Sequence, residues 1–239
     1  MALQSLRFLS IAPIAQHTAT VIFLHGLGDT GEGWKFMADM FAPKLPHVKW
    51  ILPHAFNQPV TINFGMECPS WRVYDIQSLD KIDGPEDEKG MLVSSRQINQ
   101  LITAEVDAGI KSDRIVLGGF SQGAAMSLLT GLTTERRLAG LVALSGYAPL
   151  RNKLKSMLSD HAKKLPIFMG HGTADPVVKF EIGQKSAQIL TSEFGLKCAS
   201  STAEDMTGVI FNQYDGLQHS ADPRELRALL EWMGKVIPA

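Results

Sequence analysis

Short apolar runs alternate along this chain with longer stretches in which apolar residues recur every third or fourth position. That alternation predicts an α/β fold, a mostly parallel sheet with helices on both faces. Residues 20–25, the run Ile115-Val116-Leu117, and residues 140–145, 166–169 and 209–214 are short and strongly apolar, as buried strands are. Residues 48–52 form another such run, expected to stop at Pro53. Helical spacing follows several of them. Trp34, Met37, Ala38 and Phe41 fall at i, i+3, i+4 and i+7, and Ile98, Leu101, Ile102 and Val106 mark an inward face within residues 89–108. Further helices are expected from about Met126 to Leu132 and over residues 179–194. In the last helix Leu226, Leu229, Leu230 and Met233 form the buried stripe. Asp222 is placed to cap it, Pro223 to open it and Glu225 to close a capping box.

Two stretches fit neither period. Residues 56–75 combine Phe56, Val60, Ile62, Phe64, Met66, Trp71 and Tyr74 with two prolines, so they read as a long apolar loop, either folded onto the core or functional. Residues 80–88 are acidic and read as a solvated turn. No repeat or linker interrupts the chain, and a single α/β domain is expected over residues 1–239.

Charge changes the picture mainly by exclusion. Lys and Arg number 23 against 24 Asp and Glu, which argues against a nucleic-acid footprint. Arg151, Lys153, Lys155, Lys163 and Lys164 make residues 151–164 locally basic, either a solvated helix face or a place of transient contact with an anionic membrane surface. Cys68 and Cys198 are far apart and in no metal-binding spacing, as expected of a reduced protein inside the cell. Residues 1–13 lack the layout of a signal peptide, no apolar run reaches bilayer length, and neither the myristoylation nor the prenylation pattern is present.

The chemistry gathers where an apolar strand runs into Gly119-Phe120-Ser121-Gln122-Gly123, a G-x-S-x-G followed by helical spacing. A strand that turns at once into a helix strains its middle residue and needs small neighbours, and it presents the serine at the helix mouth. A serine hydroxyl becomes a nucleophile when a base removes its proton, and a carboxylate must orient that base. In chain order Ser121 is followed by Asp175 and then His219, each just after a predicted strand. Of the other histidines, His17 and His47 are expected at the surface, His161 beside the basic run, and His25, His54 and His171 in other loops or ahead of the acid. Asp215 and Asp222 lie too near His219 in sequence to be preferred as its acid. The backbone N–H groups of Gln122 and of Leu27, in His25-Gly26-Leu27, are the expected oxyanion donors. Residues 26–31 also spell G-x-G-x-x-G, but the next strand ends in Leu52-Pro53-His54 without the acid a dinucleotide site requires. Neither H-E-x-x-H nor a Walker A lysine is present, and no metal or other cofactor is expected.

With these residues in place the chain resembles the acyl-protein thioesterases, the lysophospholipase-like branch of the α/β-hydrolases. The resemblance is carried by residues 23–31, Pro69-Ser70-Trp71, residues 114–123, Ala143-Leu144-Ser145-Gly146, residues 171–178 and residues 214–220, and it runs from about Thr20 to Ile237. It implies Ser121 as nucleophile, His219 as base, Asp175 as orienting acid, and Leu27 and Gln122 as oxyanion donors. It implies hydrolysis of the thioester joining palmitate to protein cysteines, with S-acylated proteins as substrates and lysophospholipids as further ones. The acyl chain would lie in an apolar channel to which Phe64, Met66 and Trp71 contribute. A cytoplasmic and nuclear location and a weak homodimer are expected alongside. Two departures stand out. The stretch from Asp175 to His219 is longer than the family pattern, the excess falling in residues 195–207, and Glu67 and Cys68 stand where the family is usually apolar. The lipidated cysteine that some relatives carry near the N-terminus has no counterpart in Met1-Ala2-Leu3.

Overall fold

The computed structural model describes residues 3–61, 64–72, 86–200 and 205–239. Among these the strands are β1 (Arg7–Ile11), β2 (Ala19–Leu24), β3 (Val48–His54), β4 (Asn57–Val60), β5 (Met66–Pro69), β6 (Ile115–Phe120), β7 (Gly140–Leu144), β8 (Pro166–Gly172) and β9 (Gly208–Tyr214). The helices are α1 (Lys35–Phe41), α2 (Glu88–Asp107), α3 (Gln122–Thr133), α4 (Arg151–Met157), α5 (Phe180–Gln188) and α6 (Pro223–Val236). Seven strands form one sheet in the order β1-β3-β2-β6-β7-β8-β9, parallel throughout except for β1, and β4 and β5 pair as a separate hairpin.

Alternation along the strands divides the core in two. Ile22, Leu24, Leu117, Leu141 and Ala143 face the side covered by α2, α3, α4 and α5. Val21, Phe23, Val116, Val142 and Leu144 face the side covered by α1 and α6. Both faces are dry, which is why these strands read as unbroken apolar runs.

The differences from expectation have local causes. β1 is an edge strand, largely exposed, and its sequence carries little apolar signal. β3 continues through Pro53 because its ladder with β2 ends at the Ile22–Ile51 pair. There only β1 flanks the strand, and a missing N–H is tolerated. Within residues 56–75 the chain makes the β4–β5 hairpin, with Phe64 (φ 56°) and Gly65 (φ 78°) at its turn. Ile62, Tyr74 and residues 80–85 of the acidic segment lie outside the described residues, while Asp87 caps α2 by accepting from Gly90 N–H (2.8 Å) and Glu88 opens that helix. The helix expected over residues 179–194 is α5 followed by a π-helical turn, Ile189–Glu193. In the longer segment at 195–207, Cys198 bridges Val209 and Ala199 N–H donates to the Val209 carbonyl (2.9 Å), so a short piece of chain covers the start of the edge strand β9. His47 is not at the surface: it is buried, its Nε2 bonded to the Ile237 carbonyl at 2.9 Å.

Asp222 caps α6 as expected, accepting from the N–H groups of Arg224 (2.8 Å) and Glu225 (3.2 Å), with Pro223 in the first turn. Leu226, Leu229 and Met233 are buried while Leu230 is only half-buried, and Trp232 completes the stripe. Glu225 does not close the capping box. Its carboxyl is fully buried against Gly170 of β8, with neither oxygen bonded among the described residues. Burial, reinforced by the nearby Asp222 carboxylate, raises its pKa to about 8. Because the folded-state pKa lies above the ordinary value, the group favours folding while protonated. That contribution is complete at acid pH and is lost as pH rises through about 8. Replacing Glu225 by Gln should therefore raise Tm relative to the parent progressively between about pH 5 and pH 9, read by thermal denaturation. A Tm difference independent of pH would contradict the buried, protonated acid.

Candidate active site

The site begins with a steric constraint. A Cβ on Gly119 would come within 2.4 Å of the Gly123 backbone, and a Cβ on Gly123 within 2.3 Å of the Leu24 carbonyl oxygen at the end of β2. Only glycine at both positions lets β6 turn straight into α3 against β2. Between them Ser121 takes φ 55°, ψ −117°, a conformation that costs about 1–3 kcal/mol and persists only where the surroundings enforce it. Its N–H is fixed on the Leu144 carbonyl (2.8 Å), and its side chain faces a cavity of about 380 Å³.

Asp175 and His219 come from the loops after β8 and β9, and those strands are parallel neighbours. The loops cross in contact: Ala174 N–H donates to the Leu217 carbonyl (3.1 Å), and a Cβ on Gly172 would strike that same oxygen. His219 Nδ1 is 2.8 Å from Asp175 Oδ2. The other carboxylate oxygen, Oδ1, accepts from the N–H groups of Val177 (2.8 Å) and Val178 (2.9 Å). With its carboxylate wholly buried and held on both oxygens, Asp175 can orient the imidazole and steady a positive charge on it. His171 supports this loop from below: its Nε2 lies 2.7 Å from the Val178 carbonyl and 3.5 Å from Asp175 Oδ2. Burial lowers the pKa of His171, so it stays neutral beside the acid. Ser121 and His219 line the same cavity, with the Phe120 ring 4.7 Å from the imidazole.

Leu27 and Gln122 border this cavity too. Gln122 is the first residue of α3, where a backbone N–H has no partner within the helix. The Leu27 loop is pinned by Gly28 N–H on the Pro69 carbonyl (2.9 Å), and Gln122 is pinned by its side chain, Oε1 accepting from Trp71 N–H (2.8 Å). The base of the β4–β5 hairpin thus anchors both expected donors. His25 serves the scaffold. Its Nδ1–H bonds the Gly26 carbonyl (2.6 Å), its Nε2 accepts from Ala55 N–H (3.0 Å), and burial lowers its pKa.

The expected acyl wall is placed differently. Phe64 at the hairpin turn and Met66 at the start of β5 are 97% and 64% exposed and are not among the described residues that line the cavity. Trp71 is buried with its indole N–H on the His25 carbonyl (2.9 Å), a structural position. Trp34, Phe36, Phe120 and Val177 wall the cavity instead. Helical spacing marked Trp34 as core, and no periodic signal links these four residues, which come from separate elements.

The sheet order, the glycine-framed serine turn and the Asp–His pair at the ends of β8 and β9 are those of an α/β-hydrolase. The chain belongs to the Phospholipase/Carboxylesterase family of these hydrolases, whose model matches residues 8–237. It is 52% identical over 232 residues to acyl-protein thioesterase 1 of Cryptococcus neoformans, covering 96% of this chain and 97% of that protein. With acyl-protein thioesterase 1 of Schizosaccharomyces pombe it shares 44% over 227 residues, 95% of each chain. Among solved structures, Arabidopsis thaliana SOBER1 superposes with a TM-score of 0.82 at 31% identity, covering 92% of this chain and 99% of that one. Zea mays acyl-protein thioesterase 2 gives 0.81 at 30%, covering 97% and 99%.

If Ser121 is the nucleophile, Ser121→Ala should abolish labelling by a fluorophosphonate probe. Asp175→Asn should lower kcat roughly a thousandfold to ten-thousandfold with little change in KM. Labelling that survives Ser121→Ala would move the nucleophile elsewhere.

Proposed function

We propose that this hydrolase cleaves the thioester that joins long-chain acyl groups, palmitate among them, to protein cysteines. The observation that carries the reading is the strained Ser121 sharing a cavity with His219, whose ring is held by the buried Asp175 carboxylate. The relatives named acyl-protein thioesterase, similar over nearly the whole chain, supply the substrate class.

In this mechanism Ser121 Oγ attacks the thioester carbonyl while His219 takes its proton. The N–H groups of Leu27 and Gln122 hold the oxyanion, a contribution of about 3–4 kcal/mol for each donor in comparable sites. The cysteine thiolate leaves with less help from a general acid than an alkoxide needs. Water activated by His219 then releases the fatty acid. Trp34, Phe36, Phe120 and Val177 provide apolar surface for the chain, and burying about ten methylenes there would contribute roughly 8 kcal/mol at most.

Oxygen esters, lysophospholipids included, fit the same machinery and are the second reading, favoured by the family's description. The two separate on rates: kcat/KM for a palmitoylated peptide should exceed that for a lysophospholipid of equal chain length. The reverse order, with the peptide left intact, would make this a lipid esterase.

Transient membrane contact belongs to the same proposal, since acylated proteins reside at membranes. The exposed Phe64 and Met66 on the hairpin and the exposed Lys155, Lys163 and Lys164 support it. Co-sedimentation with anionic phospholipid vesicles should fall when Phe64→Ser and Met66→Ser are combined. Unchanged sedimentation would remove the hairpin from that contact.

A further inference from the structure

We propose that Asp29 is a specificity residue: its carboxylate, on the wall of the cavity beside Ser121, binds a cationic group carried by the substrate next to the scissile acyl bond. The inference rests on the acyl-hydrolase reading above and adds a recognition element to it.

Three observations carry it. Asp29 is the one carboxylate among the described residues lining a cavity whose walls are otherwise apolar or neutral, and no lysine or arginine lines it. The carboxylate is fixed in place. Oδ1 accepts from Thr30 N–H (2.7 Å), and both oxygens lie so close to Gly33 that a Cβ there would approach to 2.4 Å. Asp29 forms no ion pair among the described residues. Finally, aromatic rings line the same cavity as Asp29 and reach the candidate base. The His219 ring lies tilted against Phe120 (4.7 Å between centroids), Phe120 against Trp34 (5.2 Å) and Trp34 against Phe36 (5.7 Å). A cavity that offers both a carboxylate and aromatic rings has the chemistry that recognises an ammonium or guanidinium ion. The same charge disfavours anionic groups at that position.

The cation has two sources that share this chemistry, a basic residue beside the acylated cysteine and a choline headgroup. The test measures kcat/KM of the full chain in two arms. One uses S-palmitoylated peptides identical except for Lys, Ala or Glu beside the acyl-cysteine. The other compares lysophosphatidylcholine with lysophosphatidylglycerol of equal chain length. The expected result is a preference for the cationic substrate of about fivefold or more in at least one arm, shrinking with added salt and collapsing towards unity in Asp29→Asn. The arm in which the preference appears names the source.

Ratios near unity in both arms of the parent enzyme would overturn the proposal. So would ratios that Asp29→Asn leaves intact, including a uniform loss across all substrates, which would mark Asp29 as a turn residue only. Should Asp29→Asn fold poorly, the salt response of the parent ratio decides, and a preference insensitive to salt would overturn it. The lipid arm needs no thioester cleavage. Peptides left intact would therefore sink the thioesterase reading alone, and the choline preference would still judge Asp29.

Discussion

The active site is built on a close backbone approach where β6 runs into α3 across the end of β2. Gly119 and Gly123 close the distance there, and no other residue fits at either place. The serine between them has no relaxed alternative while β6 stays paired to β2 and β7, because its own N–H is held by the last carbonyl of β7. The sheet therefore supplies the energy that keeps Ser121 strained, and the strain turns its hydroxyl towards the cavity rather than into the core.

The candidate acid and base are brought together by the same sheet but through its neighbours. Forty-four positions separate Asp175 from His219 in sequence, yet β8 and β9 are paired along their full length and deliver both loops to one edge. The acid's environment is fixed by short-range bonds within its own loop, and the neutral His171 beneath it adds no competing positive charge. Rigid strand ends place the groups, and loop-internal hydrogen bonds orient them.

What could be read from the chain follows from how each signal arises. Strands β2, β6, β7 and β8 are almost wholly buried, so continuous apolar runs announced them, and the edge strand β9 was announced by its buried first half alone. The edge strand β1 and the hairpin strands β4 and β5 are half-solvated, and their short mixed sequences resemble loops. Ser121, Asp175 and His219 could be picked out as candidates because each follows a strand in a fixed chain order, and the structure brings Asp175 against His219 and Ser121 into the same cavity as His219. The cavity wall was not, because Trp34, Phe36, Phe120 and Val177 converge from elements whose relative placement depends on sheet order. His47 was misjudged for a related reason: its burial comes from the carbonyl of Ile237, distant in sequence, which no local window contains. Glu225 fits a capping pattern in sequence, but packing against Gly170 buries it instead.

The hairpin base has a mechanical implication. Pro69 holds the loop that carries Leu27, and Trp71 holds the side chain of Gln122. Both amides that would steady negative charge on the reacting carbonyl are thus braced by a single ribbon of chain whose far tip projects into the surroundings. Phe64 at that tip and the two bracing residues all lie within residues 64–71, so one short piece of chain joins the molecule's outer surface to the surroundings of the reacting carbon.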